Sequence, residues 1–557
     1  LVFFISGPNS YWYHVPVLGQ MLHLQNKLGL TLVQRSGPSA RTQTVNACRP
    51  CNPTVGKRSS KARLTQRLSI EPFYSTTSTR HQSIRSLKTV MAATTSAAPT
   101  WTDLKEQLAS SSTAKELDEQ VKQLALGAGK PDTNAKLRLF GHQESEVRLT
   151  LYRDHAAWCP YCQKVWMMCE EKQIPYRIEK INMRSYGDKP DWFLKKVPSG
   201  LLPVIEIDGQ MITESLVIMQ IIEREYPGDK VMIPTPDSDP EGFKRANGLL
   251  RLERELFSDW CSFIFRPSGG GGLFGIGGGG GGPSSAQKNF EATLDRVEAE
   301  LGVAPGPWFL GGTHPTLVDL QYVSHVERMV ASVLYWKGLQ VRGEGAARWP
   351  NVERWFRAFE ERPSYQATKS DFYTHVRDIP PQYGPGYSDD NAQTKAAEEY
   401  VSGKGAAWRL PLDLGMHQLE PVPPEMFAGE TPACHEAAWS LIGNAAAVTR
   451  FACRGAGQKG KKQFQAPLAD PYATPNLDLE PEVDALLRGV AHGLLLGPSK
   501  AEAAAAEAAA AVGSGKKAAA AKCLAYLRDR VGVPRDMSYP AATYFRATLN
   551  AAIDHLK

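Results

Sequence analysis

Apolar and polar residues alternate from Val147 to Tyr152 and again from Tyr176 to Ile181, which predicts two strands. Between them, Cys162–Lys172 has helical spacing, with Val165, Met168 and Cys169 on one face. Leu202–Ile207 and Met211–Thr213 predict a hairpin across Asp208-Gly209, a favoured two-residue turn. Glu214–Tyr226 then reads as a helix that stops at Pro227-Gly228. The order β-α-β followed by β-β-α makes residues 147–230 an α/β domain.

The pattern changes after residue 230. Phe243–Phe265, Ala286–Leu301, Leu317–Val333 and Trp349–Phe359 all have helical spacing, so residues 231–385 predict an all-α domain. Thr316-Leu317-Val318-Asp319 resembles a capping box, with Asp in place of Glu or Gln. A glycine run over 269–282 lacks the Lys-Ser/Thr ending of a phosphate loop and follows no strand, so it reads as an insertion. Residues 99–146 predict one or two amphipathic helices and a polar linker. Residues 386–557 predict a mostly helical extension, with pieces at Ala437–Cys453, Glu480–Leu496 and Lys517–Arg530. The alanine-rich run 500–521 reads as a helical or disordered insertion without chemistry.

Charge divides the chain in two. Residues 1–100 hold twelve of the 64 Lys/Arg and one of the 58 Asp/Glu, leaving 52 basic and 57 acidic residues beyond them. The basic balance therefore belongs to the leader, which argues against a nucleic-acid partner. A leader over 1–98 rich in Ser, Thr and Arg has the composition of an organelle transit peptide, for chloroplast or mitochondrion. A disordered basic tail on a cytosolic protein is the alternative. No apolar stretch has the length of a membrane span. Nine Cys in 557 residues do not make a disulfide scaffold. Cys48 and Cys51 fall in the leader, His314, His325 and His375 share no ligand spacing, and no metal is expected.

Trp158-Cys159-Pro160-Tyr161-Cys162 sits where a predicted strand hands over to a helix. Unpaired N–H groups and the helix dipole favour a thiolate at Cys159, and Cys162 lies one turn on, placed to resolve a mixed disulfide. Downstream, Pro203 precedes a strand. Were its peptide bond cis, Leu202 would offer its N–H and C=O to an extended tripeptide; an ordinary trans proline at a strand start is the alternative. Glu214 and Ser215 open a helix, where N–H groups bind a carboxylate and Glu214 suits an ammonium group; a simple cap by Thr213 or Ser215 is the alternative. Trp260, Phe263 and Phe265 line either a pocket between the domains or a core. Cys169, Cys261, Cys434, Cys453 and Cys523 read as packed thiols.

With this strand-Cys-helix-Pro order, the fold expected is thioredoxin-like. The stretch Trp158 to Pro227 resembles cysteine-type glutathione transferases, particularly the omega class. Asp188-Lys189-Pro190-Asp191-Trp192-Phe193-Leu194-Lys195-Lys196 resembles the omega segment whose first Lys contacts the glycine carboxylate of glutathione. The resemblance gives that role to Lys189, main-chain contacts to Leu202 beside Pro203, γ-glutamyl contacts to Glu214 and Ser215, and catalysis to Cys159 with Cys162. The iota class of photosynthetic organisms, with its C-P-x-C site and long extension, is similar more closely still. Trp355, Arg362-Pro363 and Tyr365 resemble the end of its helical domain, and Tyr526–Met537 part of its extension.

The resemblance implies glutathione as co-substrate and a thiol transferase or reductase acting on glutathionyl mixed disulfides, dehydroascorbate or a glutathionylated protein. Conjugation of electrophiles, a non-catalytic interaction module and a glutathione-ligated iron–sulfur site remain alternatives. A homodimer is possible, and the chloroplast is the expected location.

Overall fold

The computed structural model describes residues 98–267, 283–412, 428–460, 466, 468–533 and 535–557. The leader with Cys48 and Cys51, and the glycine run 269–282, lie outside the described residues.

Two short helices come first. α1 (Trp101–Ala109) opens on a capping box between Thr100 and Asp103, and α2 (Ser112–Ala125) on Ser111. Both pack on the C-terminal helices: the Trp101 indole donates to Asp484 at 2.7 Å, and the Trp439 indole to Asp118 at 2.9 Å. The polar stretch that follows contributes an edge strand, β1 (Leu137–Arg138), which alternation over two residues cannot signal.

The sheet has the order β1-β3-β2-β4-β5. β2 (Leu149–Asp154) runs parallel to β3 (Tyr176–Ile181) and antiparallel to β4 (Val204–Ile207), which turns back into β5 (Gln210–Ile212). Asp208 and Gly209 both have positive φ, 50° and 80°, as a two-residue hairpin turn of this hand requires. α3 (Pro160–Lys172) connects β2 to β3, α4 (Asp191–Lys196) precedes β4, and α5 (Ser215–Glu225) follows β5. This is a thioredoxin-like half.

The helical half consists of α6 (Pro240–Ile264), α7 (Ser285–Leu301), α8 (Leu317–Lys337), α9 (Pro350–Glu360), α10 (Pro363–Thr368) and α11 (Phe372–Tyr383). α8 runs through its centre with nearly every side chain buried. Its start is held by Asp319, a fully buried carboxylate that accepts from Thr316 N at 2.8 Å, Thr316 Oγ1 at 2.7 Å, Phe309 N at 3.1 Å and the Trp355 indole at 3.0 Å. The capping box read from Thr316 and Asp319 is thus present, and it also ties α9 and the loop before α8 to one carboxylate.

The extension has a core of its own. α12 (Ala392–Ser402), α13 (Glu430–Gly443), α14 (Ala445–Ala452), α15 (Glu480–Leu496), α16 (Pro498–Ala510), α17 (Ser514–Arg528) and α18 (Tyr539–Leu556) follow in order. α13 to α18 share one hydrophobic cluster with Leu104, Leu108 and Ala114 of α1 and α2. The alanine-rich run is part of this core. Ala501, Ala504, Ala505, Ala508 and Ala509 of α16 are buried, and α16 packs on α15 where the latter carries Gly489 and Gly493. A Cβ added at Gly489 would lie 2.3 Å from that of Ala508, so small residues on both helices set the close approach. A smaller cluster, from Leu334, Phe372, Tyr373, Tyr400 and Trp408 to Val533, joins the extension to α8 and α11.

Asp319→Ala leaves four buried donors without an acceptor. It is expected to lower unfolding stability by about 3 kcal/mol, read as a shift in the urea midpoint. A loss below about 0.5 kcal/mol, the usual size for a surface substitution, would contradict this account.

Candidate active site

β2 delivers the chain to α3 through a tight turn in which Ala157 takes a positive φ of 53°. Asp154, the last residue of β2, is buried, and its Oδ2 accepts from Trp158 N at 2.7 Å and Cys159 N at 3.1 Å. The carboxylate thereby fixes the turn, and Cys159 falls on the N-cap of α3 with Pro160 as its first helical residue. Cys159 is partly exposed and Cys162 is buried. Their sulfurs and an Asp154 carboxylate oxygen all lie within 4.8 Å of one another.

The two thiols differ sharply. A hydrogen bond from Cys162, helped by the Tyr161 and Cys162 N–H groups, holds Cys159 below the ordinary thiol value, against burial and the charge of Asp154. Burial, and then the bond with Cys159, push Cys162 well above it. The surroundings thus favour the thiolate at Cys159 and the protonated thiol at Cys162.

A buried network from the helical half supports this turn. The Trp158 indole donates to His375 Nδ1 at 3.1 Å, and His375 Nε2–H donates to Glu327 Oε1 at 2.8 Å. Glu327 also accepts from Gln163 Nε2 at 2.9 Å and Ser370 N at 2.6 Å. Arg328 donates to the Trp158 carbonyl and to Gln163 Oε1, and its guanidinium lies 4.8 Å from the Trp158 ring centroid. Burial holds His375 below its ordinary value, in keeping with a neutral ring that accepts at one nitrogen and donates at the other. The extension reaches the same turn: Arg535 N donates to Ala156 O at 3.4 Å, Arg535 Nη2 to Ala367 O at 2.7 Å, and Thr374 Oγ1 to Gly532 O at 2.9 Å.

Of the residues singled out in the sequence, Cys159, Cys162 and Lys189 come within electrostatic reach of one another. Burial lowers Lys189, while the charges of Cys162, Cys159 and Asp154 pull it back up; its Nζ donates to Asn182 O at 2.8 Å. Leu202-Pro203 is cis. Tyr152 pairs with Val204, so Pro203 sits at the end of β2 from which the cysteine turn departs. Glu214 is exposed on the N-cap of α5, with Ser215 the first helical residue. Its φ of 68° lies where a side chain is strained, a feature that clusters at ligand clamps. Glu214, the N-cap residue, makes no side-chain cap bond.

Beside the cysteines lies an aromatic cluster built by both halves, in which Tyr161, Phe265 and Tyr383 are partly exposed while Trp260 is buried in the core. Trp260 and Phe265 contact Tyr383 with ring centroids 5.6 and 6.2 Å apart, and Tyr161 packs on His325 at 5.2 Å. Phe263 instead turns to Phe290 in the core. Asp154, Arg328 and Tyr383 were not singled out in the sequence, His375 was named only as sharing no ligand spacing, and Arg535 only as part of the extension. Asp154 carried a usable signal, an acid at the end of a strand just before the cysteine turn. The others are brought in by tertiary packing from distant segments that share no spacing with it.

Comparison with known proteins agrees with this architecture. A family model described as the glutathione S-transferase N-terminal domain matches residues 158–225, and one described as the C-terminal domain matches residues 246–358. "Glutathione S-transferase DHAR2" of Arabidopsis thaliana is 26% identical over 212 residues, which is 38% of this chain and 84% of that protein. "Glutathione S-transferase omega-1" of Mus musculus is 27% identical over 233 residues, 42% of this chain and 84% of the relative. "Glutathione S-transferase DHAR3, chloroplastic" of Arabidopsis thaliana is 33% identical over 114 residues, 20% of this chain and 38% of the relative. Among solved structures, Chlamydomonas reinhardtii dehydroascorbate reductase is similar at 20% identity and a TM-score of 0.30, covering 40% of this chain and 93% of its own.

Because the Cys162 hydrogen bond contributes most to lowering Cys159, Cys162→Ala is expected to move the midpoint of Cys159 alkylation to higher pH. Iodoacetamide labelling against pH, read at Cys159 by peptide mass, measures it. A midpoint that stays or falls would contradict the assignment.

Proposed function

With residues 158–225 and 246–358 forming the two domains of a glutathione transferase, an enzyme that uses glutathione as co-substrate, we propose that this chain is a glutathione-dependent thiol transferase or reductase with Cys159 as its nucleophile. The observation that carries the reading is the asymmetry of the two thiols, one favoured as thiolate at a helix N-terminus and the other held protonated one turn on. A nucleophilic cysteine suits attack on the sulfur of a glutathionyl mixed disulfide, or turnover of dehydroascorbate, better than activation of glutathione toward an electrophile. Omega-type and dehydroascorbate-reductase-type relatives support the same chemistry.

Lys189 takes the glycine carboxylate of glutathione, the Leu202 main chain before Pro203 takes its extended backbone, and Glu214 with Ser215 takes the γ-glutamyl end. The partly exposed aromatic surface of Phe265 and Tyr383 takes the second substrate. The long folded extension supports a placement near the iota class. A Ser-, Thr- and Arg-rich leader, together with chloroplast-named relatives, supports a chloroplast location.

Steady-state turnover of a glutathionylated peptide tests this. Cys159→Ser is expected to lower kcat by at least about 10³-fold. Lys189→Ala is expected to raise KM for glutathione with little change in kcat. Efficient conjugation of an aromatic halide that survives Cys159→Ser would overturn the proposal.

A further inference from the structure

The resolving half of the proposed reaction raises a question of proton transfer. When Cys162 attacks Cys159 carrying a glutathionyl group, it must first lose a proton that its burial holds tightly. Solvent cannot take it readily, since Cys162 is 1% exposed. Asp154 is also 1% exposed, and its carboxylate lies within 4.8 Å of both sulfurs. That gap is spanned by one water or a modest side-chain rotation. Oδ2 is committed to the Trp158 and Cys159 N–H groups, which hold the carboxylate in place beneath the dithiol.

The surroundings favour a proton acceptor here. Behind Asp154 stands a second buried carboxyl, Asp378 of α11. Tyr186 donates to its Oδ1, and its Oδ2 has no hydrogen-bond partner among the described residues. Burial and the charge of Asp154 both push Asp378 well above the carboxylate range, so a second fixed negative charge is avoided. The other charged and titratable groups acting on Asp154 are Arg153 and His155 of its own strand and the strand end, Cys159 and Cys162 of α3, and Lys189 from the loop before α4. Arg153 is turned away, donating to the Asp154 carbonyl at 2.7 Å and to Thr133 O at 2.6 Å. Lys189 donates to Asn182 O.

We propose that Asp154 is the base of the resolving step: its carboxylate takes the Cys162 proton as Cys162 attacks the sulfur of glutathionylated Cys159. The Cys162–Cys159 disulfide forms and the bond from Cys159 to the glutathione sulfur breaks. The electron pair leaves with the glutathione thiolate, which collects the proton from Asp154 and departs as glutathione. No external oxidant or reductant enters. This inference rests on the thiol transferase reading above.

Rapid acid quench and intact mass, after mixing the full chain with a glutathionylated peptide, separate the two steps. The first is the appearance of a glutathione adduct on Cys159. The second is its loss as the internal disulfide forms. Asp154→Asn retains an acceptor for the two turn N–H groups but cannot take a proton. It is expected to slow the second step by about 10²-fold at neutral pH. The first step, read in the same quench, is expected to change far less than the second, so the ratio of the two rates carries the result. An unchanged second step would overturn the proposal.

The wild-type protein supplies an independent arm should the variant fail to fold. Its second step is expected to be flat around neutral pH, because the neighbouring carboxylate, and not ionisation of Cys162 toward solvent, takes the proton. A rate that climbs steadily into the alkaline range, where the Cys162 thiol itself ionises, would equally overturn the proposal. Failure of wild-type Cys159 to form any adduct would remove the thiol transferase reading itself, a result distinct from a normal first step followed by an unaltered second.

Discussion

The carbonyl of Trp158 and the guanidinium of Arg328 make the contact on which the arrangement of this molecule turns. One end is the last residue before the cysteine, in the α/β half; the other is on α8, the buried spine of the helical half. Arg328 is 1% exposed, so its charge must be compensated inside the protein. It is compensated by acceptors that belong to the site: the Trp158 carbonyl, the Gln163 amide, and Glu327 through Gln163 and His375. Breaking the junction would strand a buried cation, so the domain junction and the shape of the cysteine turn hold together. The extension adds to the same point through Arg535, whose N–H meets the Ala156 carbonyl.

That rigidity matters because the chemistry depends on small differences between two like groups. Cys159 and Cys162 are three residues apart and share one hydrogen bond, yet position separates them. At the helix mouth, Cys159 receives N–H groups and a donated S–H; one turn deeper, burial, the bond to Cys159 and negative charge at Cys162 outweigh a backbone hydrogen bond at Asp154. Asp154 opposes both thiolates while fixing the turn that presents Cys159. In the proposed reaction this tension is productive, since the carboxylate that disfavours a thiolate at Cys162 is also a buried acceptor within 4.8 Å of its sulfur.

Much of this could be read from the chain, and the limits have physical causes. The strand Tyr176–Ile181 and the helix behind the cysteines follow from periodicity, and the strand read at Val147–Tyr152 is found two residues on, at Leu149–Asp154, where burial of nearly every side chain blurs the alternation. Asp208-Gly209 marked its hairpin because few other pairs tolerate two positive φ values. Thr316 and Asp319 marked the start of α8 for a similarly local reason. The extension was only partly legible. α15 appears with the bounds its pattern suggests, but the alanine-rich run gives no amphipathic signal, since alanines pack against Gly489 and Gly493 without needing an apolar stripe. α18 was missed: buried almost throughout, it presents no polar face to set a period. In the site, the residues nearest the sulfur were visible through local chemistry. His375, Glu327 and Arg328 were not, because their roles arise only when α8 and α11 fold over the cysteine turn.

The central claim is that Cys159 works by carrying glutathione on its own sulfur. Trapping that intermediate tests it most directly. Cys162→Ser, which lacks the resolving thiol, is mixed with a glutathionylated peptide and analysed by intact and peptide mass. The account predicts one glutathione per chain, on Cys159, in a bond reversed by excess glutathione. Turnover by wild-type protein with no adduct on Cys159 in the trapped variant would contradict it.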